Sequence, residues 1–261
     1  MRYFSLVDAN DNEYDLTVSG KIFLNEPAGL GFAKNNNYIR LGGAYVRQAE
    51  EIYAQGMIPG ELILSGYEEY RALTAYIYSG GELRIKYRTD GVVDPYYREI
   101  DIGSIDKGEL GASMLLRCPV TFACRSRWYQ TIQKSFVDQM IWQITNDGHF
   151  PASWRLTVDI TPGAVIAGQI IELIQYGEDS SQTSLVKIAL AKSGLQGRLV
   201  WDTRDGHASC TWGGVNMVSV MDFTKENFFK IPIGSYGFKI YGYTGGRTSG
   251  KLEIFKEYAT V

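Results

Sequence analysis

The run Leu83-Arg84-Ile85-Lys86-Tyr87-Arg88 places an apolar residue at every odd position and a cation at every even one. Side chains alternate across a strand with a period of two, so the pattern predicts a β-strand that buries one face. Its return partner is read at Tyr97 to Ile102. The connection Asp90-Gly91-Val92-Val93-Asp94-Pro95 is too long for a two-residue turn. A long hairpin follows, expected to project as a docking arm, with Tyr87, Tyr96 and Tyr97 near its ends as interface candidates. Tyrosine gives large contact area at low entropy cost. The alternative is that these rings cap the sheet of their own subunit.

Upstream, Ser65-Gly66-Tyr67-Glu68 has capping-box form, Tyr70, Leu73 and Ile77 follow at helical spacing, and Gly80-Gly81 ends the run. One helix packed on a sheet is predicted, after a strand at Glu61 to Leu64. Before that lies a passage rich in Gly and Asn (Gly29 to Gly43), and at the start a hairpin of Arg2 to Val7 and Tyr14 to Val18. Its turn, Asp8 to Asn12, looks superficially like a calcium loop, but Glu13 stands where such a loop needs Gly and Ser19 where it needs a bidentate Glu. No metal is expected there.

Downstream, Met114 to Cys124 alternates again, so Cys118 and Cys124 share one face of one strand, at about 3.3 Å per residue some 20 Å apart and beyond disulfide reach. Pro119 predicts an edge or bulge in that strand. Periodicity lapses from Arg125 to Ser135, and the domain boundary is read there, giving domains 1–130 and 131–261. Eight strands are then expected: Val137 to Thr145, Trp154 to Ile160, Gln169 to Tyr176, Leu185 to Leu190, Arg198 to Trp201, Val215 to Val220, Tyr236 to Tyr243 and Lys251 to Glu257. Their spacing suggests a jelly-roll sandwich.

Composition agrees with a mainly β protein: 261 residues carry 34 aromatics and 29 Gly but only 7 Pro. A net charge of −3 argues against counterion-release binding of nucleic acid. No apolar run reaches the 18 or more residues of a membrane span, and no signal-peptide core follows Met1, so the protein is expected to stay where it is made unless a larger assembly carries it out, with no membrane partner. Three cysteines and no Cys/His cluster give no zinc site, and no cofactor is implied.

The chemistry of catalysis finds little support. The two histidines, His149 and His207, sit beside Gly148 and Gly206 in turns, and no nucleophile elbow, zinc-protease helix or phosphate loop occurs. A carboxylate pair acting as a glycosidase is formally open, since sequence spacing does not reveal it. The stronger alternative to a structural protein is a carbohydrate-binding module. Trp201, Asp202, Arg204, His207 and Trp212 lie close in sequence and could stack and hydrogen-bond a sugar, although one of two tryptophans in alternating strands is ordinarily core.

Three stretches carry a family resemblance: Asn146-Asp147-Gly148 with Pro151-Ala152 leading into the Trp154 strand, Trp201-Asp202-Thr203-Arg204-Asp205-Gly206, and Phe228-Phe229-Lys230-Ile231-Pro232-Ile233-Gly234. With the order of elements, they resemble the distal tail protein (Dit) family of siphophages over nearly the whole chain. The chain departs from the family pattern where Ile233 separates Pro232 from Gly234 and Tyr236 takes the place of an Asn. The resemblance implies a β-sandwich-like ring-forming N-terminal domain with one helix and a long hairpin, followed by a galectin-like sandwich. It further implies a virion tail-tip location and a homohexameric ring joining the tail tube protein to the tail-associated hub or lysin protein, with receptor-binding proteins as further candidate partners. DNA would pass through without specific binding. The longest unassigned turn, Gly177 to Ser184, is too short for an inserted module, which needs at least about 40 residues. The plain form of the family is therefore expected, with no catalytic and no metal residues.

Overall fold

Strands whose side chains alternate between interior and surface make up nearly all of the regular structure. The structure is a computed structural model, and it describes every residue except 36–37, 48–51, 112, 138–140, 161–164, 177–181, 190–196, 222 and 245–247. The loop expected at Gly177 to Ser184 thus lies mostly outside the described residues. The chain is mainly β, with one α-helix among the described residues, and divides into two units, Met1–Tyr129 with Tyr258–Val261, and Gln130–Glu257.

The first unit contains β1 (Arg2–Val7), β2 (Glu13–Asp15), β3 (Ile22–Asn25), β4 (Lys34–Asn35), β5 (Tyr38–Leu41), β6 (Ala44–Arg47), β7 (Ile52–Tyr53), β8 (Met57–Leu64), α1 (Tyr67–Ser79), β9 (Leu83–Thr89), β10 (Tyr96–Ile105) and β11 (Leu116–Cys124). Its main sheet runs β2-β1-β9-β10-β11-β8-β3, antiparallel throughout. Leu16 N–H donates to Phe4 O (2.8 Å) and Leu24 N–H to Leu16 O (2.9 Å), which ties the two ends together and closes the sheet into a small barrel. Phe4, Leu6, Leu24, Ile58, Leu62 and Phe122 fill its interior. Closure removes the exposed edges that an open sheet presents for aggregation.

Three expectations change here. The hairpin β9–β10 is not a projecting arm: β1 pairs with β9 from Arg2↔Thr89 to Val7↔Arg84, so the hairpin sits in the middle of the barrel wall. The capping box does not form. Ser65 N–H is held by Lys21 O (2.8 Å), which keeps Ser65 in the strand exit and makes Gly66 the N-cap, with no side-chain cap bond. The acidic Glu68 and Glu69 in the first turn complement the helix dipole instead. Pro119 lies in a central strand, between β8 and β10. Its carbonyl accepts from Asp106 N–H (2.9 Å), so its missing donor also faces that side, where β10 has ended at Ile105.

The second unit contains most of β12 (Trp128–Val137), whose first two residues belong to the first unit, then β13 (Ile141–Asn146), β14 (Ser153–Ile160), β15 (Val165–Tyr176), β16 (Gln182–Ala189), β17 (Gly197–Asp202), β18 (Ser209–Trp212), β19 (Val215–Asn216), β20 (Gly234–Thr244) and β21 (Thr248–Tyr258). One sheet runs β19-β18-β17-β14-β21-β12 and the other β13-β20-β15-β16. Trp154, Leu156 and Trp201 from the first meet Trp142, Ile171 and Phe238 from the second in one buried cluster, so the unit is a sandwich. The stretch read as a lapse in periodicity is β12, whose Trp, Tyr, Thr and Ile supply strand propensity without clean alternation. The strand expected at Val215 to Val220 stops at Asn216, because Asn216 Oδ1 takes Val218 N–H (2.9 Å) and starts a 3-10 turn.

Candidate functional site

The three motif stretches of the second unit meet at one residue. Trp154 is fully buried on β14; its backbone N–H donates to Thr203 Oγ1 (2.8 Å), and its carbonyl accepts from both Thr203 N–H (2.9 Å) and Thr203 Oγ1 (3.0 Å). Its indole N–H donates to Phe229 O (2.9 Å). Asn146 completes the junction. Its Nδ2 donates to Phe150 O and Ile231 O (3.0 Å each) and Pro232 O (3.3 Å), while its Oδ1 accepts from Gly148 N–H (3.0 Å). Ala152 and Ile231 exchange a pair of backbone bonds beside it. Tyr236 donates its hydroxyl to Ile233 O (3.2 Å) and so braces the turn that leads into β20. The motifs are the joinery of a sandwich.

The sugar-binding candidates are placed accordingly. Trp201 and Trp212 are 0% and 1% exposed, both facing the sandwich core, so neither offers a ring face for stacking. The buried Asp202 carboxylate is held in an ion pair by Arg204, whose Nη2 lies at 2.7 Å. The Arg204 guanidinium in turn lies 4.8 Å over the Phe255 ring. His207 is half-buried in the following turn, its N–H donating to Arg204 O (3.0 Å). The structure therefore brings Asp202 and Arg204 together and turns both tryptophans inward. The acidic turn of the first unit is likewise self-contained: Asp8 accepts from Asn10 N–H, Asn12 N–H and Asn12 Nδ2 (2.8 Å each). The Asn12 side chain leads the bonds that hold the Asp8 carboxyl below its ordinary range. Among the described residues no three metal-ligating side chains gather.

Of the interface candidates, Tyr87 is a core residue. It is 5% exposed and packs on Phe4 (5.0 Å) and Trp128 (5.9 Å), because its outward neighbours are the cations of β9. Tyr96 and Tyr97 are half-buried; Tyr96 meets Tyr258 edge-on at 5.3 Å and Tyr97 stacks on Tyr129 at 6.0 Å. Tyr87 thus lies in the core cluster of the first unit.

The surface that sequence reasoning missed is the separate hairpin β5–β6. Gly42 and Gly43 adopt φ of 56° and 93°, the positive pair that a two-residue type I′ turn requires. Its rings and aliphatic side chains face water: Tyr38 56%, Ile39 39%, Leu41 56%, Tyr45 72% and Val46 45% exposed. The signal was present as Tyr-Ile-Arg-Leu around Gly-Gly, strand formers flanking a tight-turn pair, but the neighbouring asparagines gave the passage the look of a loop.

Residues 3–125 match the family model of the distal tail protein N-terminal domain. The first unit is a distal tail protein N-terminal domain. The far end of the phage tail, the virion tail tip, is therefore its location. No curated protein sequence matches the chain. Among solved structures, it is similar in fold to a chain of the phage P2 baseplate in its activated conformation with Ca (TM-score 0.69, 14% identity, 100% of both chains). It is also similar to the SPP1 Dit protein (TM-score 0.63, 9% identity, 97% of this chain and 98% of that one). The mainly β fold expected is present, and the family match covers the unit that bears the exposed hairpin.

Proposed function

We propose that this distal tail protein is a structural hub: a ring of six copies that joins the tail tube protein to the tail-associated hub or lysin protein. It would work by self-association, without making or breaking a covalent bond. The observation that carries the reading is the exposed apolar hairpin β5–β6 within the family-matched unit. A monomer gains nothing by displaying five large apolar side chains on ten residues, whereas a subunit that always has a neighbour does. Receptor-binding proteins are further candidate partners of the second unit, which would act as a plain sandwich with no inserted module.

Charge distribution supports passage of DNA. Residues 1–129 hold 17 Asp and Glu against 14 Lys and Arg, and residues 130–261 hold 12 of each, so the whole net charge of −3 belongs to the N-terminal half. Six copies would carry roughly −18, concentrated in the ring-forming units, and a net negative wall repels a polyanion. The carbohydrate-binding reading has no such support, since both of its tryptophans are core residues.

Native mass spectrometry tests the proposal. Six copies of a 29.2 kDa chain give a species of roughly 175 kDa, the size of a closed ring if association is cyclic. Single copies at every concentration, both alone and mixed with the tail tube and hub proteins, would defeat it.

A further inference from the structure

A sheet edge offers a row of unpaired N–H and C=O groups, and proteins ordinarily guard it with a charge, a proline, a bulge or a very short strand. The edges of the second unit follow that rule with one exception. β19 is only two residues long, β12 carries Lys134, and β16 carries Lys187 and meets β15 across a bulge at Leu173/Ile174. β13, the other edge of the β13-β20-β15-β16 sheet, reads Ile-Trp-Gln-Ile-Thr-Asn, six residues with no charge, no proline and no glycine. Its register with β20 is unbroken from Ile141↔Lys239 to Asn146↔Gly234. Among the described residues of this unit, β13 alone lacks every one of these guards.

Among the described residues, the backbones of Trp142, Gln143, Ile144 and Thr145 make no hydrogen bond except to β20. In an antiparallel strand alternate residues turn both backbone groups to the same side, so every second one of these four presents an unpaired N–H and C=O at the edge. The side chains give the edge its chemistry. Ile141, Gln143 and Thr145 are exposed and uncharged, while Trp142 and Ile144 lie in the sandwich core. Trp142 is 6% exposed, and its indole N–H is buried without an acceptor, the one such indole among the described residues that an edge strand carries. The charges of the sheet lie further in: Lys239 of β20 pairs with Ile141 on one side and with Glu172 of β15 on the other. What matches the edge is therefore an extended strand without charge, alternating apolar residues towards the core with neutral polar ones towards water.

We infer that β13 is a docking edge for an extended segment of a different tail protein, which adds as a fifth strand to the β13-β20-β15-β16 sheet. Main-chain bonds to the edge supply the affinity, and the alternation of β13 sets the register. A second copy of this chain is the poorer occupant. Pairing β13 with β13 runs antiparallel about a twofold axis, and such a contact closes on two copies and has no place within a cyclic ring. That choice of partner rests on the hub reading, and it gives the second unit a task of its own while the first builds the ring.

Hydrogen exchange read by mass spectrometry tests it, comparing the isolated chain with the same chain in purified tails. In the isolated chain about half of the amides from Trp142 to Thr145 should exchange rapidly. In tails those amides should slow by about tenfold or more. Lysine is the guard that β13 lacks, and Gln143 and Thr145 are exposed, so Gln143→Lys with Thr145→Lys should leave circular dichroism and melting unchanged. With that double variant rings should persist and the protection of β13 in tails should vanish; the wild-type comparison decides by itself if the variant misfolds. Equal exchange of β13 in the isolated chain and in tails, or protection that survives in the folded variant, overturns the docking edge. Protection that already appears in the isolated chain as its concentration rises assigns the edge to a second copy and overturns the choice of partner. The ring is read separately, by native mass spectrometry: a chain that forms no ring while β13 is protected in tails defeats the hub and leaves the edge, whereas rings with an unprotected edge do the reverse.

Discussion

Replacing Asn146 by aspartate changes one buried atom from a donor to an acceptor at the point where two of the motif stretches are tied together. Asn146 is 1% exposed; its Nδ2 serves three carbonyls and its Oδ1 takes Gly148 N–H. Asn146→Ala strips Gly148 N–H of its acceptor and weakens Phe150 O and Pro232 O, while Ile231 O keeps its bond from Ala152 N–H. At about 1–3 kcal/mol for a buried group left unpaired and less for carbonyls already partly satisfied, the cost is about 3 kcal/mol. Asn146→Asp keeps the Gly148 bond but aims a carboxylate at three carbonyls, which favours its protonated form in the folded state. A carboxyl whose folded pKa is raised loses stability as pH climbs through the interval between the unfolded value, about 3.9, and the folded one, at about 1.4 kcal/mol per unit of separation. The deficit of the aspartate variant relative to the wild type is therefore expected to be large at pH 7 and to shrink towards pH 4, whereas that of the alanine variant stays level. Urea unfolding followed by tryptophan fluorescence reads it directly, since Trp142, Trp154, Trp201 and Trp212 all lie in the second unit. An aspartate variant as stable as the wild type at pH 7, or a deficit independent of pH, would refute the reasoning.

Arg98 is 7% exposed inside the first barrel, with Nε donating to Ser126 O (2.8 Å), its guanidinium 5.6 Å over Trp128 and Nη1 without a hydrogen bond. Burial lowers its pKa, opposed by Cys124, and no carboxylate ion-pairs with it among the described residues. Arg98→Met should therefore leave stability unchanged or raise it by ~1–2 kcal/mol in chemical unfolding, and a clear loss would show that the charge is compensated. Trp212→Ala should cost ~3–5 kcal/mol by melting, as a fully buried ring does, where a sugar-stacking residue would leave stability nearly untouched. All three thiols are buried, and burial pushes Cys210 up to about 12, so it stays protonated at pH 8. A thiol reagent at that pH should label none in the native protein and three in denaturant; rapid native labelling would contradict the packing.

Much of the fold was legible because burial on one face writes itself into sequence with a period of two. Leu83, Ile85 and Tyr87 gave β9, and the run Met114 to Cys124 gave β11 with both thiols inward, although the strand begins only at Leu116 and Met114 is exposed. What sequence could not show was the other edge of each strand. The partner on the far side of β9 is β1, about 80 residues away in the chain, and that pairing turned an expected arm into barrel wall. The same limit misled the reading of Ser65, whose N–H is taken by Lys21 O from another strand. The sugar-binding cluster failed for a related reason. Proximity in sequence put Trp201 and Trp212 together, but inward alternation on β17 and β18 sends both rings to the core, leaving Asp202 and Arg204 to pair with each other.

Image reconstruction of the distal end of purified tails tests the central claim most directly. The account predicts a closed sixfold ring built from this chain, with the N-terminal units touching one another around an open channel. A single copy at the tail end, or copies that contact only other proteins and never each other, would contradict it.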